Sequence, residues 1–169
     1  KFSKLTRKIL EMSESDTVLL SEEMDTLTLY LELEQVRFDD NFTFVFDIDQ
    51  KLDLEMVKIP PMLVQPYVEN AVKHGLLHKQ GEKKIHLKFE KIEKLLVITL
   101  EDNGIGRKRS EELNSIKNAK HKSFSTEANA KRLEVLNQGN NKQVALEIID
   151  NYDESNQSIG TTVILKIPI

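Results

Sequence analysis

The stretch from Pro60 to Gly75, PPMLVQPYVENAVKHG, constrains this chain more than any other part of its sequence. Several of its residues recur at the spacing of one helix face: i, i+4, i+7, i+8 and i+11. The residues on this face are Leu63, Tyr67, Asn70, Ala71 and His74. Asn is unfavourable in mid-helix, because its side chain competes for backbone hydrogen bonds. The pattern predicts a helix from about Leu63 that ends at Gly75, a natural C′ residue, and a functional reason for Asn70.

The polar residues of this helix admit two interpretations. Lys73 lies three residues beyond Asn70, so its ammonium group emerges beside the Asn70 amide and the His74 imidazole, as in a ligand-binding cluster. Alternatively, Glu69 and Lys73 form an i, i+4 ion pair on the solvated edge of a core helix. The helix by itself leaves both open. Pro66 fits either interpretation, since a proline in the first turn removes an N–H that has no helical partner.

A second feature begins with the apolar run Leu95–Leu100, which predicts a central strand covered on both faces. The run leads directly into Glu101–Gly106, EDNGIG. Two glycines spaced i, i+2 let the backbone approach a ligand closely, where a Cβ would clash. The Asp at the end of a buried strand is placed to accept a hydrogen bond in a cleft. Alone, this pattern is equally typical of a plain turn.

Composition excludes several classes of function. The chain has 169 residues and a net charge of −4 with both signs interspersed, so it lacks the basic stripe of a nucleic-acid-binding protein. It has no cysteine, and therefore neither a disulfide framework nor a thiolate metal site. Its longest strongly apolar run, Leu95–Leu100, is far too short to cross a bilayer, and no signal peptide is recognisable.

The remaining segments predict further helices and strands. Lys1–Met12 is compatible with a helix, and Ser21 is expected to cap a second helix that reaches about Phe38. Helices are also predicted at 107–118 and 127–138, separated by a loop at 119–126. Further strands are predicted at 42–48, 85–89, 144–149 and 162–167, the last opened by Gly160 and Thr161.

Taken together, the motifs resemble those of a known family. The strings QPYVENAVKHG, DNGIG and GTTVILKIP, in this order, are similar to the ATP-binding domain of LytS/YehU-like sensor histidine kinases, members of the GHKL superfamily. The earlier string LSEEMDTLTLYLELEQVRF resembles the segment that precedes that domain. The resemblance implies an α/β (α+β) fold of the Bergerat type, a two-layer sandwich whose mixed, mostly antiparallel sheet is backed by helices. It divides the chain into a helical segment, 1–38, and an ATP-binding domain, 39–169.

The resemblance implies ATP and Mg²⁺ as ligands, and it assigns catalytic roles to Asn70 and Lys73. The Asn70 amide oxygen would hold Mg²⁺, a hard cation that prefers oxygen and takes few protein ligands. Lys73 would meet the phosphates as a point charge. His74 would flank the nucleotide, although a lone His at a helix end is just as often a satisfied core residue.

At the adenine end, the resemblance implies that Asp102 accepts the amino group of the base. Gly104 and Gly106 would admit the purine. Thr161 would support the adenine through its hydroxyl or a water, and Gly160 would keep its turn tight. By themselves, Gly160 and Thr161 indicate a plain turn into an edge strand, and only their place in the series of motifs favours a role at the site.

The sequence departs from the family in two places. Hydrolases of the superfamily carry a general-base Glu four residues before the metal-binding Asn, where this chain has Pro66; this favours phosphoryl transfer over ATP hydrolysis. The family's lid over the phosphates is rich in glycine, whereas His121–Thr126 contains none. Lys122 and the hydroxyl groups would substitute for the backbone amides, or the lid is weakened, or the segment is a disordered loop.

The four histidines are His74, His78, His86 and His121, and none lies in the early helices, where the family's phospho-acceptor is found. The chain is therefore expected to be a fragment that donates the ATP γ-phosphoryl group to a histidine on an upstream helical hairpin. The implied partners are that hairpin, a response regulator of the LytTR type, and a second copy in a homodimer, with no nucleic acid. The implied location is the cytoplasmic side of an inner-membrane-anchored kinase. The alternatives are a nucleotide-sensing or scaffolding GHKL domain without transfer activity, and an interaction module that binds no nucleotide.

Overall fold

A computed structural model of the chain describes residues 1–38, 41–117, 124–138 and 143–169, with side chains outside 114–128. In these ranges the helices are α1 (Phe2–Ser13), α2 (Leu20–Arg37), α3 (Gln65–Asn70), α4 (Arg107–Lys117) and α5 (Phe124–Asn137), and a π-helical segment, Ala71–Leu76, continues α3. The strands are β1 (Val18–Leu19), β2 (Phe42–Ile48), β3 (Lys58–Ile59), β4 (Lys83–Ile92), β5 (Leu95–Asp102), β6 (Ala145–Tyr152) and β7 (Ser158–Pro168). None of the helices in the described ranges is long and apolar enough to cross a membrane.

Five strands form the main sheet, in the order β2-β4-β5-β7-β6. Only the β2–β4 pair is parallel; β4–β5, β5–β7 and β6–β7 are antiparallel. Strands β1 and β3 make a separate antiparallel pair. The prediction of a mixed, mostly antiparallel sheet backed by helices is thus confirmed. Strand β5 is central, and its successive buried residues Leu96, Val97 and Ile98 confirm that it is covered on both faces.

One cluster of buried side chains joins the helices to the sheet. Strand β4 contributes alternate residues, as a strand with one buried face must, and α2 contributes residues one helical turn apart. Fully buried members are Leu27 and Leu31 of α2, Val68 of α3, and Leu87 and Phe89 of β4. Both sides of the predicted boundary after residue 38 contribute to this cluster, and the division into two parts stays a prediction.

The start of α2 differs from the prediction because it depends on contacts elsewhere in the chain. The helix begins at Leu20, and the Leu19 N–H is bound by the Glu22 carboxylate at 2.9 Å, so Ser21 is not the cap. The N–H groups of Leu20 and Ser21 donate instead to carbonyls of the 54–57 segment.

Two later boundaries also differ. Helix α5 starts at Phe124, three residues earlier than predicted. Strand β7 starts at Ser158, so Gly160 and Thr161 lie inside it rather than opening it. Of the predicted lid, residues 121–123 lie outside the described residues, and the last three, 124–126, form the start of α5.

Candidate functional site

The helix that carries Asn70 changes type at that residue. Asn70 is the last residue of α3, and the π-helical segment that follows extends to Leu76, with the Leu77 N–H donating to the Val72 carbonyl at 2.9 Å. The prediction that Gly75 ends the helix is therefore wrong. Glycine is required there for another reason: a Cβ at Gly75 would lie 2.9 Å from the Asp102 carboxylate.

The loop after β5 packs directly on this helical segment. The Ile105 N–H donates to the Gly75 carbonyl at 3.1 Å. A Cβ at Gly104 would lie 2.5 Å from the Gly75 Cα and 2.6 Å from the Asp102 carboxylate. Two glycine backbones therefore meet at van der Waals distance, and this contact explains Gly104 without any ligand.

Asp102 ends β5 beside this contact and is only 7% exposed. Its Oδ1 accepts a hydrogen bond from the Gly104 N–H at 2.8 Å. Burial raises the pKa of Asp102 to about 6, and hydrogen bonds from the backbone of Gly104 and Thr161 partly oppose that rise. At neutral pH the carboxyl is therefore a buried, ionised acceptor.

A cavity of about 350 Å³ is lined by α3 and the π-helical segment, the end of β5, helices α4 and α5, and strands β6 and β7. The sequence-predicted residues that line it are Asn70, His74, Asp102, Gly106 and Thr161. Tyr67 and Ala71 line it too, so four of the five residues assigned to one helix face share the cavity. An apolar wall comes from Leu146, Ile148 and Val163 of strands β6 and β7. A pocket of this size, mostly apolar with a few convergent polar groups, is typical of a small-molecule site.

Three predicted residues lie outside the cavity lining. The Lys73 ammonium is 2.7 Å from the Glu69 carboxylate, which is the i, i+4 pair of the alternative interpretation. Gly104 packs on Gly75, as described above. Gly160 has a φ of +134°, and a Cβ there would lie 1.9 Å from the Asp102 carbonyl oxygen.

The start of α4 is held against strands β6 and β7. Gly106 has a φ of +75°, and a Cβ there would come within 1.7 Å of the Ser158 hydroxyl. The next residue, Arg107, binds both carboxylate oxygens of Asp150 on β6, at 2.8 and 2.7 Å. This bidentate pair secures α4 beside the cavity.

Sequence reasoning missed four polar residues of the lining: Arg107, Ser110 and Glu111 on α4, and Asn129 on α5. Ser110 is buried, but it is a polar residue in a predominantly polar helix, so its residue type gave no indication of its burial. Only the position of the helices over the sheet reveals them.

His74 faces the cavity as an uncharged imidazole near neutral pH. Its pKa is lowered by burial first, and further by electrostatic interaction with the nearby Lys73 and His78. It therefore offers the cavity a flat ring rather than a cation.

Within the described ranges, no group of three or more His, Asp or Glu side chains is arranged to hold a metal ion. Mg²⁺ commonly takes only one or two protein ligands and completes its shell with phosphates and water. Asn70 lines the cavity, and its side-chain amide has the kind of oxygen ligand that such an ion accepts. The donor set therefore fits Mg²⁺ bound together with a nucleotide.

The raised pKa of Asp102 predicts a pH dependence of stability. Above about pH 6 the carboxyl is ionised in both folded and unfolded chains; between about pH 6 and its ordinary pKa of 3.8, the folded chain binds the proton first. Lowering the pH from about 8 to about 4 should stabilise the wild type relative to Asp102→Asn by roughly 2.5 kcal/mol. Urea unfolding of both chains across this range measures the difference, and a difference independent of pH would contradict it.

Comparisons with known proteins find similar sequences and folds among the histidine kinases. A family model described as histidine kinase matches residues 1–42. Sensor protein LytS of Staphylococcus haemolyticus is 36% identical over 104 residues, which are 62% of this chain and 18% of that protein. The chain thus spans less than a fifth of the length of this relative.

Solved histidine kinases share the fold. The histidine kinase domain of the Erythrobacter litoralis blue-light activated histidine kinase EL346 matches with a TM-score of 0.61 at 15% identity, covering 98% of this chain and 71% of that one. Histidine kinase ThkA, solved with the response regulator TrrA, matches with a TM-score of 0.55 at 18% identity, covering 99% of this chain and 47% of that one. The chain is therefore related to the LytS-like sensor histidine kinases, as its motifs predicted, and has the mixed α/β fold of a histidine kinase domain.

Proposed function

We propose that this chain is the ATP-binding catalytic domain of a two-component sensor histidine kinase. It would donate the γ-phosphoryl group of ATP to a histidine on a region that this chain does not contain. The observation that carries the proposal is the single cavity that brings the Asn70 amide and the buried Asp102 carboxylate together with an apolar wall.

The adenine end of the site would be defined by Asp102. The Asp102 carboxylate accepts hydrogen bonds from the backbone of Gly104 and Thr161, and because each carboxylate oxygen can accept more than one, the adenine amino group would donate a further one. Guanine carries a carbonyl at that position, which would leave two acceptors face to face. An unpaired buried polar group costs roughly 1–3 kcal/mol, so the carboxylate would select ATP over GTP. Thr161 and Gly106, which also line the cavity, would complete this end.

The phosphate end would be formed by Asn70 and Lys73. Mg²⁺, when bound, would neutralise phosphate charge and orient the group to be transferred. Lys73 is paired with Glu69 at the surface, where both side chains are partly exposed. Such a pair contributes at most about 1 kcal/mol, so the ammonium group can exchange Glu69 for a phosphate at little cost.

Transfer rather than hydrolysis is supported by the surroundings of Asn70. One turn before it stands Pro66, which has no group to activate water. The neighbouring Glu69 carboxylate is bound by the Gln65 amide at 3.1 Å and by Lys73 at 2.7 Å. Phosphoryl transfer itself depends mainly on positioning and charge neutralisation, and the cavity residues can supply both.

The proposed partners and location are based on the similar proteins. The partners would be the upstream histidine-bearing hairpin, a response regulator of the LytTR type, and a second copy of the kinase in a homodimer. The ThkA structure with TrrA shows that a histidine kinase with this fold is recognised by a response regulator. The domain would lie on the cytoplasmic side of a membrane-anchored kinase.

The test is binding of Mg-ATP to this chain by titration calorimetry, with GTP as competitor. We expect saturable binding of Mg-ATP and about 10- to 100-fold weaker competition by GTP, the affinity equivalent of one unpaired buried group. Equal competition by GTP would contradict the role of Asp102. No heat and no thermal shift at roughly millimolar nucleotide, the upper end of the usual KM range of enzymes, would contradict the proposal as a whole. Binding without labelling of the acceptor histidine in the full-length kinase would leave the nucleotide-sensing alternative.

A further inference from the structure

A buried carboxylate on α2 holds the chain just before the helix that carries Asn70. Glu23 is 1% exposed. Its Oε2 accepts the Met62 N–H at 2.8 Å, and its Oε1 accepts the Val64 N–H at 3.1 Å. These partners lie 39 and 41 residues away in the sequence, so the contact joins two separate parts of the fold.

Helix α3 has no cap of its own. Its N-cap residue, Val64, makes no side-chain cap hydrogen bond, and Pro66 in its first turn has no N–H to donate. The first N–H groups of a helix lack helical partners and need acceptors. Both oxygens of Glu23 serve the N–H groups at the entry to α3, from the neighbouring helix.

The same carboxylate holds a strained residue. Met62 has a φ of +51°, a left-handed conformation that costs a residue with a Cβ about 1 kcal/mol or more. Such a conformation persists when its surroundings fix it. Glu23 binds the Met62 N–H on one side, and the Arg132 guanidinium of α5 donates to the preceding carbonyl, that of Pro61.

We propose that Glu23 is a positioning residue of the nucleotide site: it fixes the start of α3 on α2, and thereby sets the place of Asn70 in the cavity wall. Asn70 is only six residues beyond Val64, less than two helical turns, so a displaced start moves its side chain. Helix α2 lies within the segment matched by the histidine kinase model, 1–42, whereas α3 lies outside it. The carboxylate thus couples the two segments. This role rests on the proposed function.

The test compares Glu23→Gln with Thr26→Val in this same chain. Gln has the same size, but its amide has only one oxygen. Its NH₂ group would therefore face one of the two backbone N–H groups, and that hydrogen bond would be lost because both groups are donors. Thr26, one turn further along α2, is equally buried and binds the Met12 sulfur and the Glu22 carbonyl rather than α3. We expect Glu23→Gln to weaken Mg-ATP binding about tenfold, the effect of one lost buried hydrogen bond, and Thr26→Val to leave it unchanged.

Hydrogen exchange adds a readout that does not depend on nucleotide. In Glu23→Gln the amides of Met62 and Val64 should lose protection together with those of α3, while the sheet stays protected. A double variant, Glu23→Gln with Met62→Gly, should recover part of the affinity, because glycine adopts a positive φ without strain.

These measurements test the positioning role of Glu23 directly. Wild-type binding and protection in Glu23→Gln would overturn the proposal, and so would equal losses in Thr26→Val. If the wild type binds no Mg-ATP, the proposed function fails, and exchange of the α3 amides alone decides whether Glu23 positions the helix. If Glu23→Gln does not fold, the shorter carboxylate of Glu23→Asp is compared in the same way, and unchanged binding and protection would again overturn the proposal.

Discussion

Replacing Gly160 by alanine is expected to lower the free energy of unfolding by about 3 kcal/mol or more. Its φ of +134° is a conformation that residues with a Cβ rarely adopt. The added Cβ would also lie 1.9 Å from the Asp102 carbonyl oxygen and 3.0 Å from the Asn103 Cα. Both neighbours are backbone of the adjacent strand and its loop, so they cannot rotate away, and the β5–β7 pairing must open locally.

The chain provides a matched control in Gly81. Its φ is +78°, but nothing lies within 4 Å of the position that a Cβ would take. Gly81→Ala therefore carries backbone strain without a collision, and about 1–2 kcal/mol is expected. Urea unfolding of both variants measures the difference. Equal losses would show that strain alone, not the contact with Asp102, requires glycine at Gly160.

The second large effect is expected at Asn70. Asn70→Ala removes the amide proposed to hold Mg²⁺, and Mg-ATP should bind about 10- to 100-fold more weakly, the usual effect of losing a contact to a charged group. Asn70 ends α3 and faces the cavity, and alanine favours a helix more than asparagine does. The fold should therefore be retained, with an unchanged or slightly higher thermal midpoint.

Metal-free titrations supply the control for this variant. With a chelator present, wild type and Asn70→Ala should bind ATP equally weakly, because the removed amide acts through the metal. A loss of the same size with and without Mg²⁺ would mean that Asn70 contacts the nucleotide directly. Wild-type affinity in Mg²⁺ would remove Asn70 from the site altogether.

The sequence alone predicted those features that depend on local periodicity and on motif order. Strands 42–48 and 85–89 were predictable because alternate residues of a strand must face one core. The cavity face of α3 and the π-helical segment was predictable because helical spacing places Tyr67, Asn70 and His74 on one side. The relation to LytS-like kinases followed from three short motifs in a fixed order, now supported by the similarity to LytS.

Only the tertiary structure decided what each glycine and each charged residue contacts. Gly75 was predicted to end the helix, yet it lies inside a π-helical segment. A Cβ at this position would lie 2.9 Å from the Asp102 carboxylate. Lys73 pairs with Glu69 and does not line the cavity. Both Glu69 and Asn70 are within one helical turn of Lys73, so residue spacing cannot tell which of them its ammonium group contacts.

Glu23 gave no signal at all in the sequence, since its partners lie 39 and 41 residues away. Periodicity reports which face of an element is buried, because burial repeats along the element. A single contact between distant segments has no period. The elements and the motif-bearing face of the cavity could therefore be read from the sequence, whereas the contacts that hold the cavity in shape arise only when distant segments pack together.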